Sequence, residues 1–299
     1  MKQILISFLK YIELEKRYAA HTIQAYRNDL EQFSLYIRTT YTISEIGNIQ
    51  HIHIRSWIVS MLESGATTTT VNRKLSALKS YYKFALKCGF IIINPMNKVV
   101  MPKNGKRLPA FVTTKKMTLL FQNVDFGEGF PGLRNRLILE TLYATGMRRA
   151  ELIGLKIADA DMYNCRFRVM GKGNKERMIP FSDSFKKILE QYLIIRNETF
   201  PTTNNDLFLT DKGNLLYPKF VYNIVRRYLS QVTSQAQRSP HTLRHTFATH
   251  LTENGADLNA VKTLLGHSSL ASTQIYTHNS IEKLKRVYEQ AHPKALKKK

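Results

Sequence analysis

The residue types that could do chemistry are densest in residues 239–278, SPHTLRHTFATHLTENGADLNAVKTLLGHSSLASTQIYTH. Arginine is suited to holding phosphate oxygens, histidine to moving protons, and tyrosine to nucleophilic attack. The stretch contains one arginine, Arg244, together with His241, His267 and Tyr276. We therefore expect a site that handles a phosphate group.

Helix ends would position these side chains. Ser239 followed by Pro240 predicts a helix start, because serine caps the first turn and proline is tolerated only there. Apolar residues then repeat every four positions and predict a buried face: Leu243, Phe247 and Leu251. At about 100° per residue, His241 and Arg244 lie close together on the flank of that face, near free N–H groups that favour an anion.

A second helix is expected over residues 257–266, since Asp257 is a good N-cap and glycine commonly follows a helix, as Gly266 does here. His267 then falls at a sharp turn, and a further short helix should carry Tyr276. The histidines, the arginine and the tyrosine can therefore converge.

The charge of the chain points to nucleic acid. Lys and Arg number 45 against 22 Asp and Glu, a formal net charge of +23. A protein this basic self-repels and attracts polyanions. The basic residues are spread along the chain, which disfavours a membrane-surface helix, and no apolar run approaches the roughly 18 residues of a membrane span. Double-stranded DNA is the expected partner, with no membrane.

Cys88 and Cys165 are the two cysteines of the chain. We place them in different domains, so they form no disulfide framework and suit a reducing cytoplasm. Both are expected to be buried as small apolar side chains. The expected localisation is cytoplasmic.

Three short strings, HTLRH, LLGHSSL and TQIYTH, resemble the tyrosine recombinase (phage integrase) family in order and spacing, most closely its XerC/XerD members. HTIQAYRNDL and TTTVNRKLSALKSYYKFALKCGFIIINPM resemble the amino-terminal core-binding domain of that family. The resemblance implies a mainly α, two-domain DNA clamp. A helical core-binding (SAM-like) domain would precede an α-rich catalytic domain with a small β-hairpin or sheet.

The predicted domains are a core-binding domain at residues 1–95, a basic linker at 96–112, a catalytic domain at 113–290 and a basic tail at 291–299. Periodicity and caps predict helices in both domains. They cover residues 52–63, 70–88, 114–122, 132–145, 150–155, 184–196, 218–229 and 281–288. Strands are expected at 165–170 and 175–180, joined by a tight turn.

Two basic groups could contact DNA phosphates outside the catalytic centre. One lies on the polar face of helix 70–88 and the other in the linker: Arg73, Lys74 and Lys79, then Lys103, Lys106 and Arg107. An ordinary solvated face is the alternative for the helix, but the net charge of the chain favours DNA.

Arg148 and Lys172 gain a role only from the resemblance. By composition alone Arg148 is a surface arginine beside Arg149, and Lys172 is an ordinary turn residue of a glycine-flanked hairpin. The resemblance places Arg148 as the first catalytic arginine and Lys172 as a general acid. The family usually has serine where this chain has Ala150, which removes a supporting hydrogen bond.

The resemblance thus implies six catalytic residues: Arg148, Lys172, His241, Arg244, His267 and Tyr276. Tyr276 would attack phosphorus to form a 3′-phosphotyrosine, the two arginines would clamp the phosphate, and the histidines would add hydrogen bonds and proton transfer. Lys172 would protonate the departing 5′-oxygen. This transesterification needs no metal, cofactor or ATP.

The resemblance further implies a dif-like inverted-repeat DNA site and a homo- or hetero-tetramer with a second recombinase on synapsed DNA. A DNA translocase of the FtsK type is a further expected partner. The process would be chromosome dimer resolution or integration of a mobile element.

Other functions remain open from the residues alone. A metal-dependent phosphodiesterase could use His241, His245 and His250, but the helix that carries them offers only Glu253 as a carboxylate. A DNA-binding architectural protein would suit the charge but has no need of the tyrosine. A type IB topoisomerase shares the chemistry, whereas the length and the amino-terminal strings favour recombination.

Overall fold

The computed structural model of the chain describes residues 1–103, 105, 111–171, 176–201, 205–234, 238–266 and 278–295, with the backbone alone for residues 278–283. The chain divides into two compact units, Met1–Arg107 and Leu108–Lys299. Helices dominate both units, and the described strands form one small antiparallel sheet. The predicted mainly α fold class is confirmed.

The first unit is built from helices that each bury one apolar stripe. They are α1 (Lys2–Leu14), α2 (Ala20–Tyr41), α3 (His51–Glu63) and α4 (Thr68–Lys87), followed by a short 3-10 helix at Pro95–Lys98. Phe8, Phe33 and Trp57 all lie in the shared core, at positions three and four residues from other apolar side chains of the same helices. The cap on α4 is Thr67, whose hydroxyl accepts the N–H of Thr70 at 3.3 Å.

Cys88 is exposed, so the expectation that both cysteines are buried is wrong for this one. The reason is local: α4 ends at Lys87, and the chain turns away at Gly89 with φ +73°. No further helical turn covers the thiol. Cys165 is buried, as predicted.

The second unit is organised around α6, which is buried on all sides from residue 137 to residue 145. A helix buried on every side belongs inside a core, and α6 packs against both α8 and α10. The helices of this unit are α5 (Thr114–Asn123), α6 (Gly129–Thr145), α7 (Arg149–Gly154), α8 (Asp183–Thr199), α9 (Pro218–Leu229), α10 (Pro240–Glu253), α11 (Leu258–Leu265) and α12 (His278–Ala291).

The sheet of the second unit has the order β1-β2-β3, with β1 at Ala160–Asp161, β2 at Arg166–Met170 and β3 at Glu176–Pro180. In β2 and β3, Phe167 faces Ile179 and Val169 faces Arg177. All four side chains are buried, so this face of the sheet lies against the core. The turn between the two strands, residues 172–175, lies outside the described residues.

The carboxyl end is packed against the second unit at least as far as residue 295. His292 is fully buried, and its Nε2 lies 3.2 Å from the carbonyl oxygen of Tyr143. Lys294 forms an ion pair of 2.9 Å with the buried carboxylate of Glu140. The first residues of the predicted basic tail therefore contribute to the core. Across the described part of the chain, no helix is long and apolar enough to cross a membrane.

Candidate active site

The site begins where α6 ends. Gly146 closes that helix in the left-handed region, with φ +59°, and donates its N–H to the carbonyl of Leu142 at 3.1 Å. A β-carbon there would lie 2.3 Å from the ring of Phe247, so only glycine fits. The chain then reverses, and Arg148 follows at the N-cap of α7.

The start of α10 is built as its sequence predicts. The hydroxyl of Ser239 accepts the N–H of Thr242 at 3.3 Å, and Pro240 occupies the first turn. The predicted apolar face is confirmed, since Leu243, Phe247 and Leu251 are all buried. Arg244 projects from the flank of this face and is only 7% exposed.

Three arginines meet the carboxyl end of α11. We use "carbonyl row" for the backbone carbonyls of Leu264, Leu265 and Gly266. Arg177 Nε donates to the first at 3.1 Å, Arg244 Nη2 to the second at 2.6 Å, and Arg148 Nη2 to the third at 3.0 Å. Helix carbonyls at this end lack intrahelical partners and carry partial negative charge, so they favour cations.

Glu151 joins two of these arginines from the other side. Its carboxylate accepts both Nη groups of Arg177, at 2.9 and 2.8 Å, and the Nη1 of Arg148 at 2.9 Å. It also accepts the backbone N–H of Arg148 at 2.7 Å. Burial alone raises the pKa of Glu151, but the hydrogen bonds and charge of Arg177 and the hydrogen bonds from Arg148 outweigh it and lower that pKa.

The same residues explain the electrostatics of Arg244. Burial and the positive charges of Arg148 and Arg177 lower its pKa to about 10, while Glu151 acts in the opposite direction. The guanidinium stays charged at neutral pH. Its Nη1 donates to the carbonyl of Gly146 at 2.7 Å, which ties α10 to the end of α6.

His241 lies at the surface, one helical turn before the next histidine, His245. The two rings are 4.4 Å apart between centroids and nearly perpendicular. Burial and the nearby His245 and Arg244 lower the pKa of His241, so its imidazole is neutral at pH 7 and can donate or accept a hydrogen bond.

His250 belongs to the core, where it is 1% exposed. Its Nδ1 lies 2.9 Å from the hydroxyl of Tyr143 and its Nε2 lies 3.4 Å from that of Thr114. Both ring nitrogens are thus used inside the protein, on Tyr143 and Thr114. No cluster of three or more His, Cys, Asp or Glu side chains within the described ranges could hold a metal ion.

Three of the predicted catalytic residues, Lys172, His267 and Tyr276, lie outside the described residues. The structure brings Arg148 and Arg244 together at the carbonyl row, which ends at the residue just before His267. His241 lies on the first turn of the helix that carries Arg244.

Two of the residues predicted to contact DNA from the first unit, Arg73 and Lys74, lie against a carboxylate of the protein itself. Arg73 forms a two-point ion pair with the buried carboxylate of Asp29, and Lys74 lies 3.8 Å from the same carboxylate. Lys79 and Lys103 are exposed. Lys106 and Arg107 lie outside the described residues.

Sequence reasoning missed Glu151 and Arg177. Glu151 carried a signal, because an acid three residues after Arg148 on a helix faces it. Arg177 carried another: alternation along β3 places it on the same face as the apolar Ile179, which is unusual for an arginine.

Residues 111–283 match the model of the phage integrase family. The chain belongs to this family. Residues 5–89 match the phage integrase N-terminal SAM-like domain. As a tyrosine recombinase, the protein is a DNA-cleaving and rejoining enzyme that acts in site-specific recombination.

Named relatives extend the match over the whole chain. Tyrosine recombinase XerC of Staphylococcus carnosus (strain TM300) is 37% identical over 303 residues, which cover 100% of both chains. Tyrosine recombinase XerD of Staphylococcus haemolyticus (strain JCSC1435) is also 37% identical, over 99% of this chain and 100% of that protein. Overall identity therefore does not separate the two types.

Solved structures similar to this chain include recombinases bound to DNA. An example is XerH site-specific recombinase bound to a palindromic difH substrate in a post-cleavage complex. It matches with a TM-score of 0.70 and 26% identity, over 88% of this chain and 78% of that one.

Proposed function

We propose that this recombinase cleaves DNA through Tyr276. The tyrosine oxygen attacks the phosphorus and forms a 3′-phosphotyrosine, the bond from phosphorus to the 5′-oxygen breaks, and that oxygen takes up a proton. The phenolic proton is lost to a base or to solvent. A 5′-hydroxyl from a second duplex then reverses the same steps, so strands exchange without ATP because the ester bond is conserved.

The observation that carries this proposal is the pair of arginines on the carbonyl row. Arg148 and Arg244 each use one nitrogen on adjacent carbonyls, those of Gly266 and Leu265. Five N–H groups per guanidinium leave further donors for a phosphate. The two cations thus stand where the chain enters residues 267–277, which carry His267 and Tyr276.

The remaining roles follow from chemistry. The arginines would offset the charge that develops on the non-bridging oxygens. The neutral imidazole of His241 would add a hydrogen bond or transfer a proton, with His267 as its partner. Lys172 would give a proton to the departing 5′-oxygen.

For the biological role we propose chromosome dimer resolution or integration of a mobile element, in the cytoplasm. The DNA would contain a dif-like inverted repeat, bound by a homo- or hetero-tetramer with a second recombinase. A DNA translocase of the FtsK type would be a further partner. Support comes from the full-length similarity to XerC and XerD and from the palindromic substrate of XerH. A two-fold repeat in DNA matches two copies of one protein. Sequencing of genomic fragments recovered by the purified protein would identify the site.

The chemical test is covalent capture on a nicked suicide substrate that contains the recovered site. Wild type should become attached to the 3′ end, and Tyr276→Phe should bind DNA normally yet form no adduct. Tyr163→Phe is a matched control, because that tyrosine is 93% exposed in the same unit. Adducts at wild-type yield in Tyr276→Phe would place the nucleophile elsewhere.

A further inference from the structure

Arg177 is buried beside the two arginines of the phosphate clamp but does not reach the surface. Its side chain is 5% exposed, against 40% for Arg148. All three of its nitrogens donate within the protein, to Glu151 and to the carbonyl of Leu264. Arg177 can therefore act on the clamp only through Glu151 and α11.

That action depends on the charges of four neighbouring residues. Arg148, Arg177, Arg244 and Glu151 form a four-residue cluster with three positive charges and one negative charge. Glu151 contacts both Arg148 and Arg177, and its carboxylate is 6% exposed, so little solvent screens it. With Arg177 present, the cluster has a net charge of +2. A phosphodiester attacked by a phenolate becomes doubly negative, so the charge of the cluster balances that of the transition state.

We propose that Arg177 is a positioning residue that neutralises Glu151, so that Arg148 keeps its positive charge for the DNA phosphate. This rests on the proposed function, in which Arg148 clamps the scissile phosphate. Without Arg177, Glu151 would pair with Arg148 alone and cancel its charge. Without both Arg177 and Glu151, Arg148 and Arg244 would again present two positive charges.

The alternative role for Arg177 is scaffolding, since it also holds Leu264 at the end of α11. The two roles predict different results for the double variant Glu151→Gln/Arg177→Met. If Arg177 balances charge, removing the Glu151 carboxylate should restore cleavage to the Arg177→Met protein. If Arg177 is a scaffold, the double variant has lost a second contact and should cleave no faster than Arg177→Met.

The experiment measures single-turnover cleavage of the suicide substrate at saturating protein. Arg177→Met should cleave about 10²-fold more slowly than wild type, in the range for losing one charge-stabilising donor. Its DNA dissociation constant should change by less than about tenfold, because most affinity comes from other phosphates. The double variant should cleave at least about tenfold faster than Arg177→Met and within about tenfold of wild type.

Arg134→Met is the matched control. Arg134 is also buried in this unit and donates to a carboxylate, Asp211, and a carbonyl, Leu209, but it lies outside the cluster. It should cleave within about threefold of wild type at temperatures where the protein is folded. If Arg177→Met does not fold, the double variant carries the test alone, and a rate more than about 10²-fold below wild type overturns the proposal.

A second readout needs no cleavage. Inorganic phosphate is titrated into DNA-free protein with labelled arginine guanidinium groups, and the NMR signal of Arg148 is assigned with Arg148→Lys. Phosphate should shift that signal in wild type and the double variant, but much less in Arg177→Met. If these shifts are seen but wild type forms no DNA adduct, the result would refute the proposed function and support the charge role. Equal shifts in all variants, or a double variant no faster than Arg177→Met, overturn the charge role alone.

Discussion

Replacing Gly146 with alanine tests whether close packing at the end of α6 holds the clamp. The new methyl group would lie 2.3, 2.8 and 2.9 Å from three ring carbons of Phe247, which is fully buried. The left-handed backbone costs an L-residue about 1–2 kcal/mol, and overpacking costs about 1–3 kcal/mol. We therefore expect a loss of about 2–5 kcal/mol in the free energy of unfolding.

Gly255→Ala provides the matched control. Gly255 also has a left-handed backbone, φ +83°, and a methyl group there would meet nothing within 4 Å. It should lose only the backbone cost of about 1–2 kcal/mol. Urea unfolding followed by far-ultraviolet circular dichroism measures both variants. Equal losses would refute the packing reasoning.

The change should also affect cleavage, because the carbonyl of Gly146 accepts a hydrogen bond from Arg244 at 2.7 Å. Shifting this turn or Phe247 would displace the guanidinium from the position in which, under the proposed function, it holds the phosphate. Gly146→Ala should therefore cleave the suicide substrate more slowly than Gly255→Ala under conditions where both are folded. Adding Phe247→Leu, which makes room for the methyl group, should recover part of the stability.

Three further predictions concern acid, the leaving group and salt. Burial lowers the pKa of His292 to about 3, below about 6.5 in the unfolded chain, so the unfolded state takes up the proton first. Stability should fall as the pH drops from about 6.5 towards 3, by up to about 1.4 kcal/mol per pH unit, and His292→Phe should flatten the profile measured by urea unfolding. Lys172→Ala should cleave about 10²–10⁴-fold more slowly, and a bridging 5′-sulfur should restore most of the rate because a thiolate leaves without a proton. Arg148→Ala should gain much less from the sulfur, whereas equal slowing of Lys172→Ala on both substrates would assign Lys172 to positioning. The DNA association constant should fall with salt concentration, with a slope of about −0.9 per neutralised phosphate when both are plotted as logarithms. An affinity that does not change with salt in a filter-binding assay would argue against a two-domain DNA clamp.

Local signals predicted the helices well. The prediction for residues 218–229 coincides with α9, and the Ser239 cap starts α10 where expected. Prolines, caps and apolar periodicity act over a few residues, so they can be recognised without a partner. β1 was missed, because a two-residue strand exists only through its pairing with β2. α6 begins at Gly129, three residues before its predicted start.

The sequence by itself determined the family, the helical character of both units and the identity of the residues able to handle phosphate, since each depends on residue type and short spacing. Only the tertiary structure decided which charged and polar groups pair with one another. Arg148 reaches the carbonyl of Gly266 across 118 residues, and Arg177 reaches Glu151 across 26. Such pairs form because buried charges and helix-end carbonyls need hydrogen-bond partners. The packing of α7, α11 and β3 determines which partners lie within reach.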